Sequence, residues 1–375
     1  MLEITPQALM AQALALAEKS LWLTSPNPRV GCVITDAQGR ILGQGHTQKA
    51  GEAHAEIMAL RDAESQGQSV VGATVYVTLE PCAHFGRTGP CCDALVAAGV
   101  KKVVAALADP NPKVSGQGFE RLRAAGIEVV VGEGASAARE LNIGFFSRMV
   151  RRTPWVRLKV AASLDGKTAL NNGVSQWITS AEARTDGHAW RARACAILTG
   201  IGTIREDNPR LDVRLVETHR QPHLVVVDSR LETPLDAHIF IAGRATLIYA
   251  AVINDIKKQA LEALGATVIY TPGNTPETQH KVDLRTMMLD LAAREINELH
   301  VEAGQKLNGS LIKAGLVDEF LVYLAPKLIG QGADMAQFGP LEDLAQAVPL
   351  TFVSTKKLGP DIRLVARATG ADAFT

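Results

Sequence analysis

The stretch ATVYVTLEPCAHFGRTGPCCDALVAAGVKKVVAAL, residues 73–107, carries the fold decision for the first part of the chain. A β-branched run is followed by a Gly/Pro-rich loop, an Ala-rich run at helical spacing and a second β-branched run. Strand followed by helix, repeated, makes a sheet with helices packed on its faces. The pattern extends in both directions. Upstream lie a helix, AHAEIMALRDAE (53–64), and two strands, RVGCVITD (29–36) and RILGQGH (40–46), joined by a turn at Asp36–Gly39. Before them, Thr5 followed by Pro6 reads as a helix start, and QALMAQALALAEKS (7–20) continues it. Downstream lie a helix, GFERLRAAG (118–126), and a strand, IEVVVG (127–132).

The alternation lapses at FFSRMVRRTP (145–154), where three arginines and Pro154 interrupt it, so the expected domains are 1–148 and 149–375. A chain of 375 residues suits two domains, each large enough to bury its own core. The second αβ unit starts at WVRLKVAASLDGKTAL (155–170). Its later strands are HLVVVDS (223–229), ATLIYA (245–250), ATVIY (266–270), ELHVEAG (298–304) and EFLVYLAPKLIG (319–330).

Bulk properties exclude several classes. Lys+Arg and Asp+Glu are both 39, and no basic block tracks a phosphate backbone, so nucleic acid is not an expected partner. The N-terminal residues lack a signal-peptide pattern and the apolar runs are strand-sized, so no membrane segment and a cytoplasmic location are expected. Five cysteines, at 32, 82, 91, 92 and 195, are the wrong arithmetic for a disulfide framework. Cys32 and Cys195 read as small core residues.

Cys82 and Cys91 are different, because they flank a loop that can fold back on a metal. A catalytic zinc takes three protein ligands and leaves a fourth position to water, and His54, Cys82 and Cys91 are the set available. His54 and Cys91 each stand where a helix starts, and helix N-termini favour thiolate ligands. Glu56 follows His54 by two residues, nearly opposite on a regular helix, so both can face one site only in the first turn. There Glu56 can shuttle a proton from water to a leaving nitrogen. H-x-E followed by P-C is a known signature of zinc deaminases, matched by His54-Ala55-Glu56 and Pro81-Cys82. Cys92 should point away from the metal. His84 could instead close a structural zinc site, which would leave Glu56 without a task.

TSPNPRVGCVI (24–34), GEAHAEIMAL (51–60), TLEPCAHFGRTGPCCDALVAAGVKKVVAAL (78–107), ADPNPKVSGQG (108–118) and VAASLDGKTA…SQWITS (160–180) occur in this order. Together they resemble the bifunctional riboflavin-biosynthesis deaminase/reductases over nearly the whole chain. The long spacing between the cysteines is the specific part. Gly89 departs from the family's usual proline before Pro90.

The resemblance implies an α/β protein: a cytidine-deaminase-like three-layer α/β/α domain, then a dihydrofolate-reductase-like α/β domain. It implies Zn2+ on His54, Cys82 and Cys91, with Glu56 as proton shuttle, and a phosphorylated pyrimidine substrate that loses an amino group as ammonia. Asn27 is the candidate grip on the pyrimidine edge, unless it merely shapes an Asn-Pro turn. His84 and Arg87 are candidate phosphate contacts. NADPH should then reduce the ribosyl group to ribityl. Ala161, Trp177, Thr203, Asp207, Ser229 and the run Gly304, Gln305, Lys306, Leu307, Asn308, Gly309 and Ser310 should line the cofactor. Ser175, Arg191, Leu211, Arg214 and Glu302 should line the substrate.

The residues themselves speak to part of this. No G-x-G-x-x-G follows a strand in the second half, but LHVEAGQKLNGSLIKAG (299–315) offers a glycine turn at a helix N-terminus that suits a phosphate. Arg191 and Arg214 suit a 5-phosphate. Trp177 reads equally as a core aromatic, and Asp165 with Gly166 as a plain turn. No residue here offers itself as the proton donor for the reduction. A homo-oligomer, dimer or tetramer, is the expected assembly. Two other readings stand beside this one: a nucleoside or tRNA deaminase with an accessory domain, and a non-enzymatic zinc-stabilised binding protein.

Overall fold

The computed structural model describes residues 5–83, 89–112 and 114–374. They form two compact units that divide between Arg151 and Arg152, with Phe374 returning to the first. The boundary expected at 148/149 falls inside a helix, Ile143–Arg151. Arg148 and Arg151 belong to the end of that helix, and Arg152 follows it as the first residue of the second unit.

The first unit contains α1 (Pro6–Glu18), β1 (Gly31–Thr35), β2 (Ile41–His46), α2 (Ala55–Ser65), β3 (Thr74–Val77), α3 (Cys91–Ala97), β4 (Lys102–Ala105), α4 (Gln117–Ala124), β5 (Glu128–Val131), α5 (Ala135–Leu141) and α6 (Ile143–Arg151). Thr5 caps α1, its hydroxyl accepting from Ala8 N, and Pro6 opens the helix as its sequence requires. The sheet order is β2-β1-β3-β4-β5, antiparallel on either side of β1 and parallel from β3 to β5.

Two glycines explain the layering. A methyl group at Gly31 would come within 1.9 Å of Ala13 O in α1, and one at Gly45 within 2.6 Å of Ala55 O in α2. Cross-strand partners share a face of the sheet. Gly45 pairs with Cys32, the neighbour of Gly31, so the two contacts lie on opposite faces. The sheet is therefore sandwiched between α1 and α2, each seated directly on strand backbone. Cys32, fully buried, fills the core as expected.

The second unit contains β6 (Trp155–Ser163), β7 (Lys167–Leu170), α7 (Ala181–Arg193), β8 (Ala196–Gly200), α8 (Ile201–Asp207), β9 (His223–Val227), β10 (Thr246–Ala250), α9 (Asp255–Ala263), β11 (Ala266–Tyr270), α10 (Leu284–Ala293), β12 (Glu298–Val301), α11 (Gln305–Lys313), β13 (Glu319–Ala325), β14 (Gly332–Asp334), β15 (Leu350–Leu358) and β16 (Asp361–Ala368). The nine-stranded sheet runs β11-β10-β9-β8-β12-β6-β13-β16-β15. It is parallel from β11 to β13, and β16 and β15 close it as an antiparallel edge. β7 and β14 pair separately. Parallel strands buried on both faces read as continuous apolar runs, which is why β9 and β10 stand out in the sequence.

Four strands, β8, β14, β15 and β16, carry no sequence expectation. β8 follows α7 across Ala194, whose backbone is already extended, with no Gly or Pro to mark the change. β15 is exposed along nearly its whole length and its partner β16 mixes buried and exposed positions irregularly, so neither shows a period of two.

Candidate active sites

The first site is assembled at two helix starts. His54 is the N-cap of α2, with extended backbone (φ −78°, ψ 169°), and its side chain makes no capping bond. The imidazole is thereby released from helix duty while Glu56 sits in the first turn, 3% exposed. Cys82 follows β3 by a short segment, and Cys91 is the first residue of α3. His54 Nδ1 lies 3.7 Å from Cys82 Sγ and 3.4 Å from Cys91 Sγ, and all three donor atoms fall within 4.8 Å of one another. A tetrahedral zinc with ordinary bond lengths separates N and S donors by roughly 3.6 Å, so these residues fit that ion. Among the described residues no fourth His, Cys, Asp or Glu joins the set. Cys92 turns away and donates its thiol to Cys82 O at 2.8 Å. His84 and Arg87 lie outside the described residues. Asn27 donates its backbone N–H to Thr24 O at 2.8 Å, closing the turn that precedes it.

Electrostatics at this site are those of a cation-binding cluster. The Cys82 thiol falls to about 4 because Cys91 and His54 hydrogen-bond it, Cys91 also donating its backbone N–H at 3.3 Å. The Cys91 thiol is pushed up by that same sulfur and by burial. A divalent cation bound here would displace whatever proton the two sulfurs hold. Burial, then the Cys82 charge, push Glu56 up to about 7. A carboxyl near that value can both take and give a proton at neutral pH.

Glu80, which the sequence reading passed over, fixes the wall behind Cys82. Its buried carboxylate accepts from the backbone N–H groups of Asp109, Gly116, Gly118 and Phe119 at 2.9–3.4 Å. It ties Asp109 and the start of α4 to the segment after β3 that carries Cys82.

The second site is a cleft of about 1320 Å³ in the second unit, at the carboxyl ends of β6, β8, β9 and β12. Ligands in open α/β sheets bind at such strand ends. Its lining includes Ala161, Ser175, Trp177, Arg191, Thr203, Asp207, Leu211, Arg214, Ser229, Glu302 and 304–308. Two expected residues fall outside it. Gly309 faces away, its Cα packed so closely on Gln337 that a methyl group would come within 1.8 Å of that residue's backbone oxygen. Ser310 Oγ donates back to Lys306 O within α11.

Gly304 caps α11, and a Cβ there would meet nothing within 4 Å, so the helix N-terminus opens freely into the cleft. That combination suits a phosphate group of a nucleotide cofactor. Trp177 is 60% exposed and stacks under the Arg184 guanidinium at 4.4 Å, so it is not a core aromatic. Asp165 does more than turn the chain: it accepts from Ser163 Oγ and from the backbone of Ile329 and Gly330.

On the opposite wall Arg191 clasps Glu302 with two bonds of 2.5 and 2.9 Å, and Glu302 also approaches Lys159 (3.6 Å) and His300 (3.4 Å). Burial pushes the Glu302 carboxyl up, but the Arg191 charge, then that of Lys159, outweigh it and hold the carboxyl well below its usual range. Lys159 is a cleft residue that the sequence reading did not name. Arg214 bonds Asp212, which also holds Arg210.

Comparison with known proteins covers both units. Residues 4–107 match the cytidine and deoxycytidylate deaminase zinc-binding region, and residues 154–364 match the RibD C-terminal domain. The riboflavin biosynthesis protein RibD of Escherichia coli is 45% identical, over 95% of this chain and 97% of its own. RibD of Aquifex aeolicus is 41% identical, over 94% and 96%. Among solved structures, Acinetobacter baumannii RibD superposes with a TM-score of 0.86 at 41% identity, covering 97% of this chain and 98% of its own. A Thermotoga maritima diaminohydroxyphosphoribosylaminopyrimidine deaminase/5-amino-6-(5-phosphoribosylamino)uracil reductase gives 0.83 at 30% identity, covering 96% and 98%.

Proposed function

Since the chain belongs to the RibD family of riboflavin-biosynthesis proteins, we propose which of its residues perform the two reactions of that family. The protein is a bifunctional enzyme, a zinc-dependent deaminase of diaminohydroxyphosphoribosylaminopyrimidine and an NADPH-dependent reductase of 5-amino-6-(5-phosphoribosylamino)uracil.

In the first unit His54, Cys82 and Cys91 hold the zinc. Bound there, the ion supplies Lewis acidity toward a water molecule. Glu56 takes the proton of that water at its carboxylate and returns it to the departing amino nitrogen, so that ammonia leaves neutral. The observation supporting this assignment is the triangle of three donors, with no fourth among the described residues, and a buried carboxyl in the adjoining helix turn. A structural site would need a fourth ligand and no such carboxyl.

In the second unit, NADPH supplies reducing equivalents to the ribosyl carbon. Gly304 through Asn308 receive the cofactor's phosphates at the start of α11, and Trp177, Thr203, Asp207 and Ser229 line the rest of its path. Arg191, clamped by Glu302, and Arg214 orient the phosphorylated substrate. The protein's work in this half is alignment, since the cofactor carries the hard chemistry.

The two assignments are tested together by following ammonia release and NADPH absorbance separately. Glu56→Gln should abolish ammonia release while zinc content and reduction persist. Arg214→Ala should weaken reduction and leave deamination intact. Normal deamination by Glu56→Gln removes Glu56 from the mechanism.

We also infer a homo-oligomer. β15 is the edge of the nine-stranded sheet, and Leu350, Phe352 and Val353 on it are 44%, 73% and 48% exposed. An exposed apolar edge strand is a template for pairing with a second copy.

A further inference from the structure

His188, in the middle of α7, is 5% exposed and lines the cleft between Arg191 and Arg214. Its Nδ1 is 3.2 Å from the backbone N of Arg214, and its Nε2 is 3.5 Å from Nη1 of Arg191. Both neighbours are donors only, and neutral imidazole accepts at one nitrogen alone. With Nδ1 accepting the nearer amide hydrogen, Nε2 must carry its own hydrogen and face a guanidinium. That guanidinium nitrogen already donates to Asp212 O at 2.9 Å and directs its other hydrogen toward the ring. Two N–H groups therefore converge, and among the described residues Nε2 has no acceptor. An anion accepting from both resolves the conflict; a water molecule does so only weakly beside this charge.

We propose that His188 is a specificity-determining residue of the reductase, donating from Nε2 to the phosphate of the phosphoribosyl substrate between Arg191 and Arg214. This rests on the reading of the cleft as the reductase site. The cofactor's phosphates have the open end of α11, so the substrate's 5-phosphate is the reaction's remaining anion. The ring adds a directed donor without adding a charge. Burial first, then Arg191 and Arg214, opposed by Glu302 and Asp212, bring its pKa down to about 4, so it stays neutral at physiological pH.

The test uses the full-length, zinc-loaded protein and initial rates of NADPH oxidation. The substrates are 5-amino-6-(5-phosphoribosylamino)uracil and its dephosphorylated form. His188→Leu should raise KM for the phosphorylated substrate roughly tenfold or more, the loss of a hydrogen bond to a charged group. Its kcat, its KM for NADPH and its KM for the dephosphorylated substrate should hold. His188→Gln, a neutral N–H donor of similar reach, should restore most of the loss, and an unchanged kcat with an unchanged KM for NADPH would report an intact second unit. Equal KM increases for both substrates would show a packing role, a rise confined to NADPH would reassign the donor to the cofactor, and an unchanged KM would remove His188 from recognition; each overturns the proposal. Failure of the wild-type protein to oxidise NADPH with either substrate would instead overturn the reading of the cleft itself.

Discussion

At the scale of single residues, the chemistry that depends on element identity is legible and the chemistry that depends on placement is not. His54, Glu56, Cys82 and Cys91 announce themselves because imidazole, carboxyl and thiol at those short spacings have few other uses. Glu80 does not, because a glutamate serving backbone N–H groups of residues 109–119 looks in sequence like any other. Its importance follows from physics: replacing the carboxylate by an amide turns one acceptor into a donor facing buried N–H groups. Glu80→Gln should cost about 2–3 kcal/mol in the first unit. The expected readout is a lower thermal midpoint, with weaker zinc retention and slower ammonia release while NADPH oxidation is unaffected. Unchanged stability would mean that this wall is held by other contacts. His188 was equally hidden, since its role comes from Arg214 arriving across its ring from a separate loop.

At the scale of helices and strands, legibility tracked β-branched runs rather than burial alone: β8 is buried almost throughout and gave no signal, while β5, mostly exposed, was read from its valines. β1, β9 and β10 are buried nearly throughout and read as apolar β-branched runs; β15 buries neither face and gave no period. The small residues of the β1–β2 hairpin were visible as letters but not as contacts. Gly45 allows α2 to rest on strand backbone, and α2 carries both His54 and Glu56 at its start. Gly45→Val would force the helix outward, and overpacking of this kind costs roughly 1–3 kcal/mol. Zinc content and ammonia release should fall together, ahead of any loss of reduction. Retained zinc stoichiometry with full deaminase activity would show that the helix start is positioned independently of the strand beneath it.

At the scale of the whole molecule, the two-part organisation was readable from the broken alternation near residue 150, although α6 carries the first unit through the arginines to Arg151. The second cleft was not readable as a shape. Its walls come from the ends of β6, β8, β9 and β12 and from α7, segments far apart in sequence, and only resemblance gathered them beforehand. Assembly belongs to this scale as well. If β15 pairs with its counterpart in a second copy, Phe352→Lys should place a charge on each partner strand and lower the mass seen by sedimentation equilibrium, with reduction retained. An unchanged mass would place the interface elsewhere.

Because a cysteine binds metal only as its thiolate, capture of a doubly charged ion by Cys82 and Cys91 is also an act of acidification whenever a hydrogen remains on them. Each protein molecule that fills its site must then shed that hydrogen to the medium. Acidic surroundings therefore compete directly with the metal, and the deaminase half should be the first to fall silent as the medium turns sour.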